Sequence, residues 1–397
     1  MRPSLIVPAV LALVFGTGAC AQGFQYGPRN SDFPPAFPEQ TRAPLVDSGV
    51  NLTVRPLAEG LERPWGIATL PDGAGWLVTE RPGRLRHIAS DGTMSAPIAG
   101  IPRVLAARQG GLLDVVVAPD FAESRVIYVT YAKPVSGGSV TAAARMVVDA
   151  AFRQVSGVED IFVQTPPSPT PMHFGSRLVP LPDGTLAITT GEHSSQQERL
   201  FAQDLDKTYG KVVRVYPDGS IPADNPFVGV EGADPAIWTL GHRNIQGATL
   251  DAEGTLWTIE HGPRGGDELN RPEAGKNYGW PTISYGIRYR GGPIQGGIAV
   301  QDGLEQPVYF WDPVIAPAGM AFHSGAAFAE WNGDVLASSL NPGGVVRLSL
   351  SNGRVTEEER LLMELGRVRD VEVLADGTFL VLTDDTQGAV LHVSPGG

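Results

Sequence analysis

A single cysteine, Cys20, stands in 397 residues, which excludes a disulfide framework and a thiolate metal cluster. Charge is scarce as well: charged residues make up 18% of the chain, with 30 basic against 43 acidic and a net charge of −13. Such a surface repels phosphate backbones, and no basic run or RNA-binding signature interrupts it, so nucleic acid is not an expected partner. Long apolar runs are missing too. The stretch from Leu5 to Phe15 is too short to span a bilayer, and with Arg2 before it and small residues Gly16 to Ala19 after it, it has the layout of a cleaved export signal over residues 1–20. Helical patterns are few, the clearest being the short piece Glu198 to Leu205.

The lone cysteine raises a second reading of the leader. Thr17-Gly18-Ala19-Cys20 resembles a bacterial lipobox, in which the cysteine carries lipid and becomes the new terminus. Against this, Thr17 stands where that pattern prefers leucine, and Ala19-Cys20-Ala21 also satisfies the rule for ordinary cleavage. The expectation is an exported, periplasmic protein, with an outer-membrane lipid anchor through Cys20 as the lipoprotein variant. Residues 21–49 are proline-rich and aperiodic and read as a tether.

What the chain has in quantity is glycine (49) and proline (34), beside a hydrophobic content of 42% that is ample for a core. Together these point to short strands joined by tight turns. One unit recurs from about Val50 on: an Asp-Gly turn or its equivalent, followed by an apolar alternating strand. It appears in LPDGAGWLVTE (Leu70 to Glu80), APDFAESRVIYVTYA (Ala118 to Ala132), LPDGTLAITTGE (Leu181 to Glu192), DAEGTLWTIEHG (Asp251 to Gly262), WNGDVLASSL (Trp331 to Leu340) and LADGTFLVLTD (Leu374 to Asp384). Six such units predict an all-β fold, a six-bladed β-propeller over residues 50–397. Asn51 to Pro56 precedes the first full unit and would complete the last blade, leaving no open sheet edge. The rhythm lapses at Val135 to Pro171 and at Pro217 to Pro235, which read as insertions.

The chemistry concentrates between Trp238 and Pro281, in GHRN (Gly241 to Asn244), EHGPRGGDELN (Glu260 to Asn270) and GKNYGWP (Gly275 to Pro281). The glycine-rich loop follows a strand, and its Gly262 and Pro263 carbonyls are hard ligands suited to calcium; a plain tight turn would use the same residues. His173 in PMHFGSRL could accept a proton near neutral pH, or be a structural histidine. Gln109, ahead of two glycines, could bind a sugar hydroxyl or cap a turn. Arg367 and Arg369 lie two apart on one strand face, where paired guanidiniums hold carboxylates or form a salt-bridged edge.

Taken in order, QGG, HFGSR, GHRN, EHGPRGGDE, NYGWP and RVRD resemble the soluble quinoprotein glucose/sorbosone dehydrogenases, most closely their aldose sugar dehydrogenase branch, over about residues 50–395. The resemblance implies a propeller that uses pyrroloquinoline quinone (PQQ) and calcium to oxidise aldose sugars at C1 to lactones, with an external quinone or cytochrome as acceptor. It implies His173 as general base, Gln109 on the substrate and cofactor side, and Arg243 and Asn244 as cofactor contacts, the arginine stabilising the reduced carbonyl. Arg367 and Arg369 would bind the cofactor carboxylates, and Tyr289 would face its ring. Gly262 and Pro263 would hold the catalytic calcium through their carbonyls, and Glu268 with the Tyr278 carbonyl a second, structural calcium.

Three positions depart from the glucose enzymes of that family. Met172 replaces an acidic residue before the base, Asn341 stands in a stretch that carries a cofactor lysine there, and His193 occupies a site of other polar residues. Two rivals stay in view: a sugar-binding propeller without activity, which Asn341 and Met172 favour, and a calcium-dependent lactone hydrolase, which explains the carbonyl and carboxylate ligands but not Arg367 with Arg369 or GHRN.

Overall fold

The computed structural model describes residues 24–396, so the expected export signal and Cys20 lie outside the described residues. Each recurrent unit places its turn between the innermost and the second strand of one sheet. In blade 3, for example, Gly175–Pro180 turns through Asp183 and Gly184 into Leu186–Thr190. The Asp183 carboxylate accepts the Thr185 N–H at 3.0 Å, and Gly184 takes φ 82°, a left-handed conformation that a side chain disfavours. The same arrangement recurs where Asp376 accepts the Thr378 N–H at 2.9 Å ahead of Phe379–Thr383.

Six antiparallel sheets result. Their innermost strands, Pro64–Thr69, Leu112–Val117, Gly175–Pro180, Ile245–Leu250, Pro317–Phe322 and Val368–Val373, pack side by side as a closed ring. Blade 1 has three strands and the others four. Ring closure falls to Leu52–Leu61, which pairs antiparallel with Gly388–Pro395 at the outer edge of blade 6, as the early strand predicts. The core lies between blades: Leu77 and Leu85 of blade 1 meet Val115, Val129 and Ala144 of blade 2, all buried. Burying each such aliphatic side chain contributes about 1.5–3 kcal/mol.

Two expectations need correction. Val135 to Pro171 is not an insertion: it carries Gly138–Val148 and Val155–Val163, the outer strands of blade 2, whose long hairpin lacks the Asp-Gly signal. Residues 24–49 do not hang as a tether. They form a strap along blades 4 and 5, where the buried Gln40 carbonyl accepts the Phe310 N–H at 2.8 Å and Leu45 forms a parallel bridge with Glu358. Pro217 to Pro235 is an excursion between two strands of blade 3, as expected.

The ring is filled at mid-depth by charge. Arg177 of blade 3 donates through Nη1 to Asp114 of blade 2 and to Asp370 of blade 6, each at 3.1 Å, and all three are buried. Blade 6 lies opposite blade 3, so this ion triad crosses the axis.

Candidate active site

The inner strands all begin on one face, and the second strands end there. That face holds a cavity of about 320 Å³ floored by Trp65, with the Arg177 guanidinium 4.6 Å from the indole ring. Gln109, Phe174, Gln246 and His261 line it, together with four arginines, Arg81, Arg108, Arg367 and Arg369. In a chain of net charge −13, such a concentration of cations gives the cavity a local positive charge that suits an anion.

Arg367 and Arg369 share a single carboxylate, Asp384, with Arg369 Nη2 at 2.9 Å from Oδ2. Burial alone would raise the Asp384 carboxyl, but Arg369 and Arg367 outweigh it and hold its pKa at about 2. One carboxylate against two guanidiniums leaves positive charge over. The Nε of the buried Arg369 has no partner among the described residues. Arg81 adds to this charge; burial and the neighbouring Arg369 lower its pKa to about 10.

His173 opens blade 3 with φ 45°, a strained conformation for a residue with a side chain. Its N–H donates to Gln109 Oε1 at 2.7 Å, so the Gln109 amide nitrogen, which has no partner among the described residues, is the free end of that side chain. Nδ1 lies 2.9 Å from Glu192 Oε1. Burial first, then the Arg243 charge, lowers the His173 pKa, which keeps the imidazole neutral. Burial would raise the Glu192 carboxyl, yet His173, Arg243 and the Ser194 N–H together hold it below the usual carboxylate range. An ionised Glu192 accepts the Nδ1 proton and leaves Nε2 as the basic nitrogen.

Arg243 is held by its own backbone, whose N–H donates to Glu260 Oε2 at 2.7 Å, and by Nη1 on the His261 carbonyl at 2.8 Å. Its Nε is buried, has no hydrogen-bond partner among the described residues and sits 4.0 Å from Glu192 Oε1. The GHRN loop owes its place to GKNYGWP: the Trp280 N–H donates to the Gly241 carbonyl, and a Cβ on Gly241 would lie 2.2 Å from Asn277 Oδ1. Asn244 turns its Oδ1 to the Gly175 N–H at 3.0 Å, locking the backbone behind His173. Tyr289 is 68% exposed, with its hydroxyl 3.4 Å from Arg243 Nη2, at the mouth of the site.

The glycine-rich loop follows Leu256–Glu260. Asp267 accepts the Gly262 N–H at 2.7 Å, while the Gly262 and Pro263 carbonyls accept no hydrogen bond from a described residue. No three His, Cys, Asp or Glu side chains cluster as a metal site among the described residues, so a cation here depends on those free carbonyls. Glu268 faces the other way along the same strand. The Asn270 amide bridges it to Glu260, at 3.2 and 3.0 Å, and Asn270 Oδ1 is buried and unpartnered. Tyr278 stacks at 4.6 Å on His242, which itself bonds Glu260, so the Tyr278 ring and Glu268 are linked through Glu260.

Of the departures, Met172 is half-buried just before His173 and Asn341 is exposed beside the cavity-lining Leu340. His193 is fully buried behind His173, with Nε2 on Gln164 Oε1 at 2.7 Å and Nδ1 on the Thr170 carbonyl at 3.1 Å. It belongs to the core and not to the rim. Glu192, Arg81 and Trp65 are the residues that sequence reasoning missed. A signal for Glu192 exists: the second strand ends in or just before an acid at Glu80, Glu192, Glu260 and Asp384, and each of these takes a basic partner.

The model of the glucose/sorbosone dehydrogenase family matches residues 61–392. The chain is 43% identical over 350 residues to the aldose sugar dehydrogenase YliI of Escherichia coli (strain K12), covering 87% of this chain and 93% of that protein. The crystal structure of the soluble aldose sugar dehydrogenase from Escherichia coli in the apo-form superposes with a TM-score of 0.84 at 42% identity, over 87% of this chain and all of that one. A PQQ-bound aldose sugar dehydrogenase from Streptomyces coelicolor superposes with a TM-score of 0.71 at 26% identity, over 89% of this chain and all of that one.

Proposed function

The chain belongs to the glucose/sorbosone dehydrogenase family, and from that premise we propose that it oxidises aldose sugars at C1 to lactones, using PQQ and calcium and passing electrons to an external acceptor, a quinone or a cytochrome. The observation that carries this reading is a cavity lined by arginines short of carboxylate partners and by Gln109 and Phe174, which join it to His173, a histidine backed by a carboxylate. The export-signal layout of residues 1–20 supports a reaction outside the cytoplasm, with a lipid anchor through Cys20 as the lipoprotein variant.

The residues fit the cofactor. A planar tricarboxylate needs cations and flat apolar walls, and Arg81, Arg367 and Arg369 supply the first while Trp65 and Tyr289 supply the second. The free Gly262 and Pro263 carbonyls would hold the catalytic calcium, and Glu268, the Tyr278 carbonyl and Asn270 Oδ1 the structural one. When bound, PQQ supplies the hydride acceptor and calcium a Lewis acid at its carbonyl.

The chain itself supplies position and a proton acceptor. His173 Nε2 takes the proton of the anomeric hydroxyl as C1 gives up its hydride, and Glu192 stabilises the imidazolium that forms. The Gln109 amide holds a sugar oxygen while its carbonyl fixes the His173 backbone. Arg243, braced on Glu260 and His261, would supply positive charge that stabilises a cofactor carbonyl as it gains negative charge. Burial, and after it the Arg243 charge, lowers the His173 pKa and so favours the neutral imidazole that can accept that proton.

The test is dye-linked oxidation of a panel of aldoses by the apo-protein, with calcium, with PQQ, with both and with neither. Turnover only with both is expected. Absence of turnover together with absence of PQQ binding by calorimetry overturns the reading, and a lactone hydrolysis assay then separates the remaining rivals.

A further inference from the structure

The amino-terminal strap does more than cover blades 4 and 5. At Asn30 and Ser31 it meets Asp312, whose carboxylate is wholly buried where the outer strand of blade 4, Tyr309–Trp311, ends. The Asn30 N–H lies 2.9 Å from both carboxylate oxygens, Asn30 Nδ2 donates at 2.7 Å and the Ser31 N–H at 3.1 Å. Arg42, farther along the strap, donates from Nη2 to the Asp312 carbonyl at 2.9 Å. The only other cation near the carboxylate among the described residues is Arg29, also on the strap, at 3.9 Å. Nearly every hydrogen bond that keeps this buried charge thus comes from the strap.

On its other side Asp312 touches the glycine-rich loop. A Cβ on Gly265 would lie 2.8 Å from Asp312 Oδ1, so the loop backbone rests directly on the carboxylate. Asn30 Oδ1 accepts Arg264 Nε at 2.8 Å, and Ser31 Oγ donates to the Tyr285 carbonyl at 2.6 Å. Tyr285 and Gly286 in turn pack against Gly266 and Pro263. The five residues Gly262 to Gly266 are therefore clamped between Asp267 on the inside and the strap with Asp312 on the outside.

We propose that Asn30 and Ser31 are positioning residues of the catalytic calcium site: by fixing Asp312, Arg264 and Tyr285 they hold the Gly262 and Pro263 carbonyls where a cation can use them. The inference rests on the assignment of calcium to those two carbonyls. Carbonyl ligands have no side-chain rotamer to adjust, so their aim depends wholly on what supports the loop. The strap is the part of the chain that leads from the leader, and the metal site is thus completed by residues far from it in sequence.

The measurement is the calcium concentration for half-maximal PQQ uptake, followed by the absorbance change of PQQ on binding, with a thermal melt of each variant in parallel. Asn30→Ala is expected to raise that concentration about tenfold or more, the usual scale for losing a group that orients a metal ligand. Arg264→Ala, at an exposed side chain, removes one link of the same clamp and should raise it by a smaller factor; it keeps the test alive if Asn30→Ala does not fold. Tyr26→Phe removes the strap's bond to the Ala43 carbonyl, away from the loop, and should lower the melting temperature while leaving the calcium midpoint unchanged. An unchanged midpoint in both clamp variants, or an equal shift in Tyr26→Phe, overturns the proposal and leaves the strap a brace. If the wild-type chain takes up no PQQ at any calcium concentration, the function assigned above falls, and this inference with it.

Discussion

On the face where the inner strands end, the hairpins of blades 3, 4 and 6 repeat one device; on the face where they begin, the loops differ from blade to blade. The first face uses Asp-Gly turns whose aspartates bond their own backbone, as at Asp183 and Asp376, and whose glycines take the left-handed conformation. The second carries His173, the arginines and the glycine-rich loop, which come from different blades. Repetition closes the ring cheaply in sequence terms, and variation is confined to where it can meet a ligand. Changes on the two faces should therefore separate into effects on stability and effects on chemistry.

The largest effect expected is on the varied face. His173→Ala should lower turnover by about 10²–10⁴-fold, since it removes the proton acceptor, while PQQ affinity by calorimetry stays near wild type. Retained turnover would take the histidine out of the mechanism.

Glu192→Gln should cost less, and its signature is in pH. The carboxylate raises the His173 pKa against burial and Arg243, which lower it. Removing the charge lowers that pKa further, so the acid limb of the kcat/KM profile should move to lower pH while the plateau falls, because a weaker base accepts the proton less well. A fallen plateau with an unmoved limb would mean that Glu192 only positions the ring.

The smallest effect on activity belongs to the repeated face. Gly184→Ala meets open space but forces a side chain into φ 82°, so it should cost about 1–2 kcal/mol in a denaturant melt and leave kcat within error. A loss of turnover there would break the division between the faces.

That division also explains what could be read from the chain alone. A hairpin turn is local, so Asp183-Gly184 and Asp376-Gly377 announce themselves, and the early strand that closes blade 6 follows from the need to cover an edge. The motif residues His173, Arg243, Gly262 and Arg367 stand out because their combination is rare in a scaffold. Glu192 was hidden because an acid ending a strand looks like solvent-facing polarity; only its burial against His173 gives it a role. Arg81 and Trp65 reach the cavity through the ring's geometry, which no local pattern encodes. The strap misled for the opposite reason: its aperiodic, proline-rich composition matches a free linker, yet its backbone finds specific partners in Asp312 and Phe310, hundreds of residues away.

The ion triad that crosses the ring has a kinetic meaning. Arg177, Asp114 and Asp370 join across the axis, with the Arg177 guanidinium against the Trp65 that lines the cavity, so charge and indole back the cavity on its inner side. In the proposed reaction the sugar, the lactone and the electron acceptor would all use one doorway. They must then take turns, one half-reaction clearing the doorway before the other begins.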